Sequence, residues 1–281
     1  MGNGAPRIVA IGDNVVDCYV DLGWMYPGGN AVNVAVHAAR LGMHTAYIGA
    51  VGTDEAGACV RNALRDEGVD ILRTRVIEGP NARAVVHVVD GNRVFGDGSV
   101  GVSRFVPAPA DLELIAGADL VHTGDCSMME EHLGTLREHA QWLSFDFSEQ
   151  PWDYIAEHAP LVDIALCSLP SGDSVEHRAR AVAGLGPQIV VVTQGPSGAS
   201  LLTKEGLHHS PAGLGQIVDT LGAGDAAAAR FLTGLINGES AASALDAATA
   251  YATTACTEYG AFGHRTPLTS AIEVRPTKET V

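Results

Sequence analysis

Between residues 219 and 225 the chain reads Asp219-Thr220-Leu221-Gly222-Ala223-Gly224-Asp225, and it runs on into the alanine-rich stretch Ala226–Leu235. A glycine-rich turn at a helix start points unpaired backbone N–H groups at one spot, and the helix dipole adds partial positive charge there. Gly222, Ala223 and Gly224 would thus form an anion hole suited to a transferring phosphoryl group. Asp225 falls in the first turn beside it, where a carboxylate can take the proton of an attacking hydroxyl. The plainer alternative is a helix that uses Gly to turn and Asp to match its dipole. Gly222-Ala223-Gly224-Asp225-Ala226-Ala227 also fits the dinucleotide pattern G-x-G-x-x-A. That pattern needs a following strand with an acidic residue about 20 positions on, and here the chain reads as helical to Tyr259.

Three further groups of residues suit the same chemistry. In Pro27-Gly28-Gly29-Asn30-Ala31-Val32-Asn33 the paired glycines let a ligand approach the backbone. Asn30 and Asn33 are three apart, so both amides lie on one helix face and suit the hydroxyls of a polyol; alternatively Asn30 is simply an N-cap. Gly12-Asp13-Asn14-Val15-Val16-Asp17 directly follows a strand, and ligands of parallel sheets bind beyond the strands' carboxyl ends. Asp17 can hold hydroxyls there, and Asp13 can do the same or cap a turn. Val192-Thr193-Gln194-Gly195-Pro196-Ser197-Gly198 is a strand leaving into a tight turn. Thr193 with Gly195 offers hydroxyl and amide donors to nucleotide phosphates, although turns of this kind are common.

The elements that must position these residues alternate. Strands are expected at Arg7–Ile11, Tyr47–Val51, Leu120–Thr123, Leu143–Phe147, Ile164–Cys167 and Ile189–Thr193, with helices from Asn30 to Gly42 and over 55–67, 128–141, 152–159 and 174–184. Continuous apolar strands separated by helices imply a parallel sheet covered on both faces. Ala199–Thr203 with Gly206–His208 reads as a hairpin, followed by helices over 223–236 and 241–259. The segment 72–105 departs from the alternation: Ala84–Val89, an Asp90-Gly91 hairpin signal and Arg93–Phe95 read as two paired strands. The expected architecture is one α/β domain over 1–281 with a small β lid from about 13–28 and 72–105. An open strand edge on that lid suggests a homodimer formed through it.

Composition narrows the classes. Lys+Arg is 17 and Asp+Glu 33, a net charge of −16, which argues against a nucleic-acid or anionic-membrane binder. The two lysines, Lys204 and Lys278, each follow a threonine, so the Gly-Lys-Ser/Thr of a P-loop is missing. The five scattered cysteines contain no C-x-x-C pair and read as free thiols of a reducing cytoplasm. No signal peptide and no membrane span is expected.

Taken together, these motifs resemble the ribokinase-like, or PfkB, family of carbohydrate kinases over about residues 7–268. The Gly-Gly motif and the D-T-x-G-A-G-D motif stand about 190 residues apart (28 to 219), and their co-occurrence is far more specific than either alone. The resemblance implies an ATP-dependent kinase with a mostly parallel sheet flanked by helices, a β lid over a sugar and ATP near residues 219–225. It implies Asp225 as base and Gly222, Ala223 and Gly224 as anion hole. Asp17, Gly29 and Asn33 match sugar-contacting positions, and Thr193, Gly195 and Gly198 nucleotide-contacting ones. Asp219 with the backbone near Leu221, Ala255 and Gly260 matches a monovalent-cation (K⁺) site. Ile11–Asn14 with Val16-Asp17, Gly28–Val36, Arg93–Asp97 and Phe145–Ser148 look like the fructoselysine 6-kinase branch, which has asparagine where many members have lysine at position 30. In a fructosyl-amino acid, the amine would favour Asp13 or Asp97 and the carboxylate Arg93. The family's N-x-x-E, which helps organise Mg²⁺, is replaced here by Ser168-Leu169-Pro170-Ser171, with Asp173 or Glu176 as acidic groups able to act through water. The competing readings are a kinase for another sugar or a nucleoside, and a catalytically silent sugar-binding protein.

Overall fold

Ile8 and Val9 are adjacent, fully buried, and belong to two different apolar clusters. The same is true of Leu120 and Val121, Ile164 and Ala165, and Val190 and Val191. Side chains alternate across a strand, so these segments lie in a sheet covered on both faces. The computed structural model describes residues 7–89, 92–169 and 174–268, with side chains given for all of these except 88–89 and 92–95. Asp90-Gly91, the Arg93 side chain, Ser171 and Asp173 lie outside that description.

The first part of the chain forms β1 (Arg7–Ile11), β2 (Val15–Tyr19), β3 (Trp24–Gly28), α1 (Asn30–Arg40), β4 (His44–Ile48), β5 (Ala50–Gly52) and α2 (Glu55–Asp66). Next come β6 (Arg75–Ile77), β7 (Arg83–Val89), β8 (Asn92–Ser99), α3 (Pro109–Ala116), β9 (Leu120–Gly124), α4 (Leu133–His139), β10 (Leu143–Asp146) and α5 (Trp152–His158). The remainder is β11 (Ile164–Ser168), α6 (Val175–Ala183), β12 (Ile189–Thr193), β13 (Ala199–Thr203), β14 (Gly206–Ser210), α7 (Ala223–Ile236), α8 (Ala241–Ala255) and β15 (Thr266–Pro267).

The large sheet has the order β14-β13-β12-β11-β10-β9-β1-β4. Pairing is parallel from β4 to β12 and antiparallel across β12, β13 and β14. α1, α7 and α8 cover one face, through Val34, Phe231 and Leu245. α3 to α6 cover the other, through Ile115, Leu133, Ile155 and Ala179. A second sheet, β15-β3-β2-β7-β8, stands apart, with Asp17 of β2 between Tyr26 and Ala84. Among the described residues no helix is long and apolar enough to cross a membrane.

Several elements differ from the expectation. Pro27-Gly28, placed in no strand by the sequence reading, is the end of strand β3. Its missing N–H costs no ladder bond, because Val16 N–H turns away to Ala82 O and β15 pairs only with Trp24 and Met25. The strand expected over 47–51 breaks at Gly49, with β4 in the large sheet and β5 paired to β6. Only 83–99 of the segment 72–105 enters the second sheet, and that sheet's last strand comes from beyond residue 260. Met128 adopts a left-handed φ of 55°, which delays the helix expected over 128–141 until Leu133. The last helix stops at Ala255 rather than Tyr259, and the Cys256 carbonyl accepts the N–H groups of Val218 and Asp219. That contact ties the end of α8 to the turn before α7. Neither α3 nor β6 was expected from the sequence.

Candidate active site

The start of α1 is held by a residue outside the helix. Asp13 Oδ2 accepts the N–H of Asn30 at 2.8 Å, and Oδ1 accepts those of Ala31 at 3.1 Å and the Ser127 hydroxyl at 2.9 Å. Burial pushes the Asp13 carboxyl up, and these three donors pull it back. Asp13 is therefore committed to the helix start, and Asn30 is the first helical residue rather than its cap. Gly29 has φ 109°, and a Cβ there would stand 2.7 Å from Asn14 Cα, so only glycine lets the chain turn under this loop. Asp13→Ala is expected to lower the folding free energy by about 2 kcal/mol, the loss of a buried cap. Urea denaturation checks this, and an unchanged midpoint would remove the capping role.

With its backbone held by Asp13, Asn30 is free to turn its side chain outward. Asn30 Nδ2 donates to Asp225 Oδ1 at 2.7 Å and to Asp146 Oδ2 at 3.0 Å, and Asn33 Nδ2 donates to Asp225 Oδ2 at 2.6 Å. Asp225 sits in the first turn of α7, whose N-cap Gly222 is left-handed at φ 72°. Burial raises the Asp225 carboxyl to about 7, the two amides oppose that rise, and Asp13 and Asp17 add to it. Burial likewise raises Asp146 to about 7, with a further push from Asp225. Two carboxyls joined through one amide thus titrate near neutrality, where a general base is most effective.

Asp17 and Asn33 are both buried and line the same hollow. A Cβ on Gly28 would stand 2.6 Å from Asp17 Oδ2 and 3.7 Å from Asn33 Oδ1. Asn33 Oδ1 has no hydrogen-bond partner among the described residues. A buried acceptor of that kind costs free energy until a ligand hydroxyl meets it. Of the amides expected to form the anion hole, that of Ala223 already reaches Thr220 O at 3.2 Å. Gly224 is exposed and faces open space, with nothing within 4 Å of where a Cβ would stand.

From Gly224 a largely apolar cavity continues between the sheet and the α7–α8 pair, lined by Ser168, Thr193, Ala227, Phe231 and Thr249. Thr193 Oγ1 lies 2.9 Å from Ser168 Oγ. Gly195 and Gly198 shape the turn beyond, closed by Gln194 N–H on Gly198 O. Glu176 does not reach this cavity's lining; it is paired with Arg180 at 2.8 Å on α6. Asp97 is exposed on β8.

Asp219 is buried beneath the α7 turn. Its Oδ1 accepts the N–H of Leu221 at 3.0 Å, and Oδ2 accepts the N–H of Gly260 at 3.0 Å and the Tyr19 hydroxyl at 2.5 Å. One carboxylate so joins the turn, the 256–260 loop and the second sheet. Ala255 ends α8 immediately before that loop.

His122, Ser144 and Asp146 entered no sequence-based site. Their signal is a polar residue inside an otherwise apolar strand, as in Leu-Val-His-Thr and Leu-Ser-Phe-Asp, which burial makes costly unless a partner is present.

A site at the carboxyl ends of parallel strands, facing a glycine-rich helix start and a second sheet, defines a phosphotransferase-type cleft. The chain belongs to the pfkB family of carbohydrate kinases, whose model matches residues 9–266. It is similar to Fructosamine kinase FrlD of Bacillus subtilis (strain 168), 38% identical over 269 residues, covering 93% of this chain and 94% of the relative. It is also similar to Fructoselysine 6-kinase of Escherichia coli (strain K12), 32% identical over 259 residues, covering 91% and 99%. Among solved structures, Arabidopsis thaliana ribokinase complexed with ribose and ATP superposes with a TM-score of 0.81 at 22% identity, over 92% of this chain and 95% of that one. Aminoimidazole riboside kinase from Salmonella enterica, complexed with aminoimidazole riboside and an ATP analog, gives 0.73 at 27% identity over 94% and 96%. The fold is thus ribokinase-like, and the chain is a sugar kinase of this family.

Proposed function

We propose that the protein moves the γ-phosphoryl group of ATP to a primary hydroxyl of a fructosyl-amine such as fructoselysine. The observation that carries this reading is Asp225 in the first turn of α7, gripped by the amides of Asn30 and Asn33 beside the open face of Gly224. Asp17, Gly29 and Asn33 hold the sugar hydroxyls, and the unpaired Asn33 Oδ1 accepts one of them. The attacking hydroxyl gives its proton to Asp225 as its oxygen bonds to the γ-phosphorus. The bond from that phosphorus to the bridging oxygen breaks, and ADP leaves with the electron pair. The backbone around Gly222–Gly224 offsets the charge on the phosphoryl oxygens. Thr193, Gly195 and Gly198 hold the nucleotide, with its base in the apolar cavity toward Phe231.

The relatives' names support the substrate class, and that of the Salmonella structure supports ATP. Mg²⁺ would enter on the ATP phosphates and offset their charge. Among the described residues no cluster of three or more His, Cys, Asp or Glu side chains forms a metal cage. A monovalent cation such as K⁺ would be held by Asp219 and the backbone near Leu221, Ala255 and Gly260, and would share the carboxylate with Tyr19. β7 and β8 form the lid over the sugar, the carboxylate of an amino-acid adduct is assigned to Arg93, whose side chain lies outside the described residues, and the terminal strand β8 offers an edge for a homodimer. We place the enzyme in the cytoplasm.

The test is ATP turnover with fructosyl-lysine, fructose, ribose and nucleosides. A site that pairs the amine and carboxylate of the adduct is expected to favour fructosyl-lysine over fructose by about 10²-fold or more in kcat/KM. Equal efficiency on the two, or turnover of nucleosides alone, would overturn the substrate assignment.

A further inference from the structure

Asn30 gives its side-chain nitrogen to two carboxylates at once. An amide can turn over, and turned it would aim its oxygen at both of them. What opposes that turn lies behind it, in the sheet. Asn30 Oδ1 is 3.0 Å from His122 Nε2, and His122 Nδ1 is 3.0 Å from Ser144 Oγ. His122 and Ser144 are both fully buried and are register partners on β9 and β10. Burial pushes the imidazole down to about 3, so the ring is neutral and carries one N–H. An amide oxygen only accepts, which places that hydrogen on Nε2; Nδ1 then accepts the Ser144 hydroxyl.

We propose that His122 is a positioning residue for phosphoryl transfer: its Nε2–H, backed by Ser144, holds the Asn30 amide nitrogen toward Asp225 and Asp146 and so keeps Asp225 available as the charged base. The inference rests on the role given to Asp225 under Proposed function.

The surroundings make this hold matter. Asp13 and Asp17 face Asp225 from the first loop and β2. Asp225 and Asp125 face Asp146. Cys126 stands beside Asp125, and Cys167 of β11 lies near Asp146, with Arg178 of α6 acting on Cys167. The acidic neighbours all disfavour the charge on Asp225. The amides of Asn30 and Asn33 favour it, and only that of Asn30 is braced by a histidine. Ser148 N–H donates to the far oxygen of Asp146 at 2.8 Å, so the second carboxylate has its own support.

The experiment is the pH profile of kcat/KM for wild type, His122→Leu and His122→Gln on whichever sugar the wild type turns over best. In His122→Leu the acid limb should move up by about one pH unit, the effect of one lost hydrogen bond to a carboxylate, while the rate above the limb is largely retained. In His122→Gln the side-chain nitrogen takes the place of Nε2, and the limb should return. A His122→Leu enzyme that is slower by the same factor at every pH, with no shift, would show a merely structural role and overturn the proposal. A second measurement is independent of turnover and of whether the leucine variant folds. Long-range ¹⁵N–¹H spectra of the wild type should show His122 as the neutral Nε2–H tautomer from about pH 5 to about pH 8. An Nδ1–H tautomer, or titration near the ordinary value of about 6.5, overturns the proposal even if the protein phosphorylates no sugar. Absence of turnover with the expected tautomer present would instead count against the Asp225 reading alone.

Discussion

Asp225→Asn is expected to keep the fold and ATP affinity and to lose turnover by roughly 10²–10⁴-fold, the usual cost of removing a positioned general base. The amide fills the same space beside Asn30 and Asn33 but takes no proton. Stability gives an independent check, because burial raises this carboxyl to about 7 in the folded chain against about 3.9 in an unfolded one. Between these values the native state binds more protons than the unfolded state. Stability from this group therefore falls as pH rises through the window, by up to about 1.4 kcal/mol per pH unit. The asparagine variant lacks that slope. Its stability relative to wild type should grow between pH 5 and pH 8, as measured by urea midpoints at both. A variant with near wild-type kcat would refute the catalytic role, and an equal stability difference at both pH values would refute the raised carboxyl.

The parts of this site that were legible in the sequence are those encoded locally. A strand followed by Gly12-Asp13, a helix beginning at Asn30 and a glycine-rich helix start at 222–225 follow from turn chemistry and apolar spacing, and each lies where that reading puts it. The large sheet was legible because its strands are apolar on both faces. The pairing of side chains across it was not. Asn30 meets Asp146 and Asp225 from 116 and 195 residues away; the strand order β10-β9-β1 brings the first segment to its edge, and the packing of α7 beside α1 brings the second. Asp13 illustrates the same limit: a carboxylate after a strand suits ligand and helix cap equally well. The choice depends on Gly29 turning the chain back beneath it. The split of 47–51 at Gly49 was likewise invisible, because β5 leaves the large sheet to pair with β6, a short strand with no apolar alternation of its own.

Gly224→Ala separates the fold from the chemistry more sharply than any change to a charged residue. Gly224 is the second residue of α7, it does not need a left-handed backbone, and an added Cβ meets nothing within 4 Å. Alanine is a better helix former than glycine by as much as about 1 kcal/mol, so the melting temperature should hold or rise. The methyl group, however, enters the cavity that Gly224 shares with Asp146, Ser168 and Thr193, which is the proposed route of the γ-phosphoryl group to a hydroxyl at Asp225. A displacement of the reacting phosphorus by about 1 Å costs on the order of 10²-fold, and screening one backbone donor costs a similar factor. We therefore expect kcat to fall at least about 10²-fold, with KM for the sugar little changed because Asp17 and Asn33 are untouched. Gly222→Ala is the contrast. There the same methyl is added at φ 72°, 2.5 Å from Ala261 Cβ, and the loss should appear first in the melting temperature. A Gly224→Ala enzyme that keeps wild-type kcat would mean that the phosphoryl group travels elsewhere, and the anion hole at the start of α7 would have to be given up.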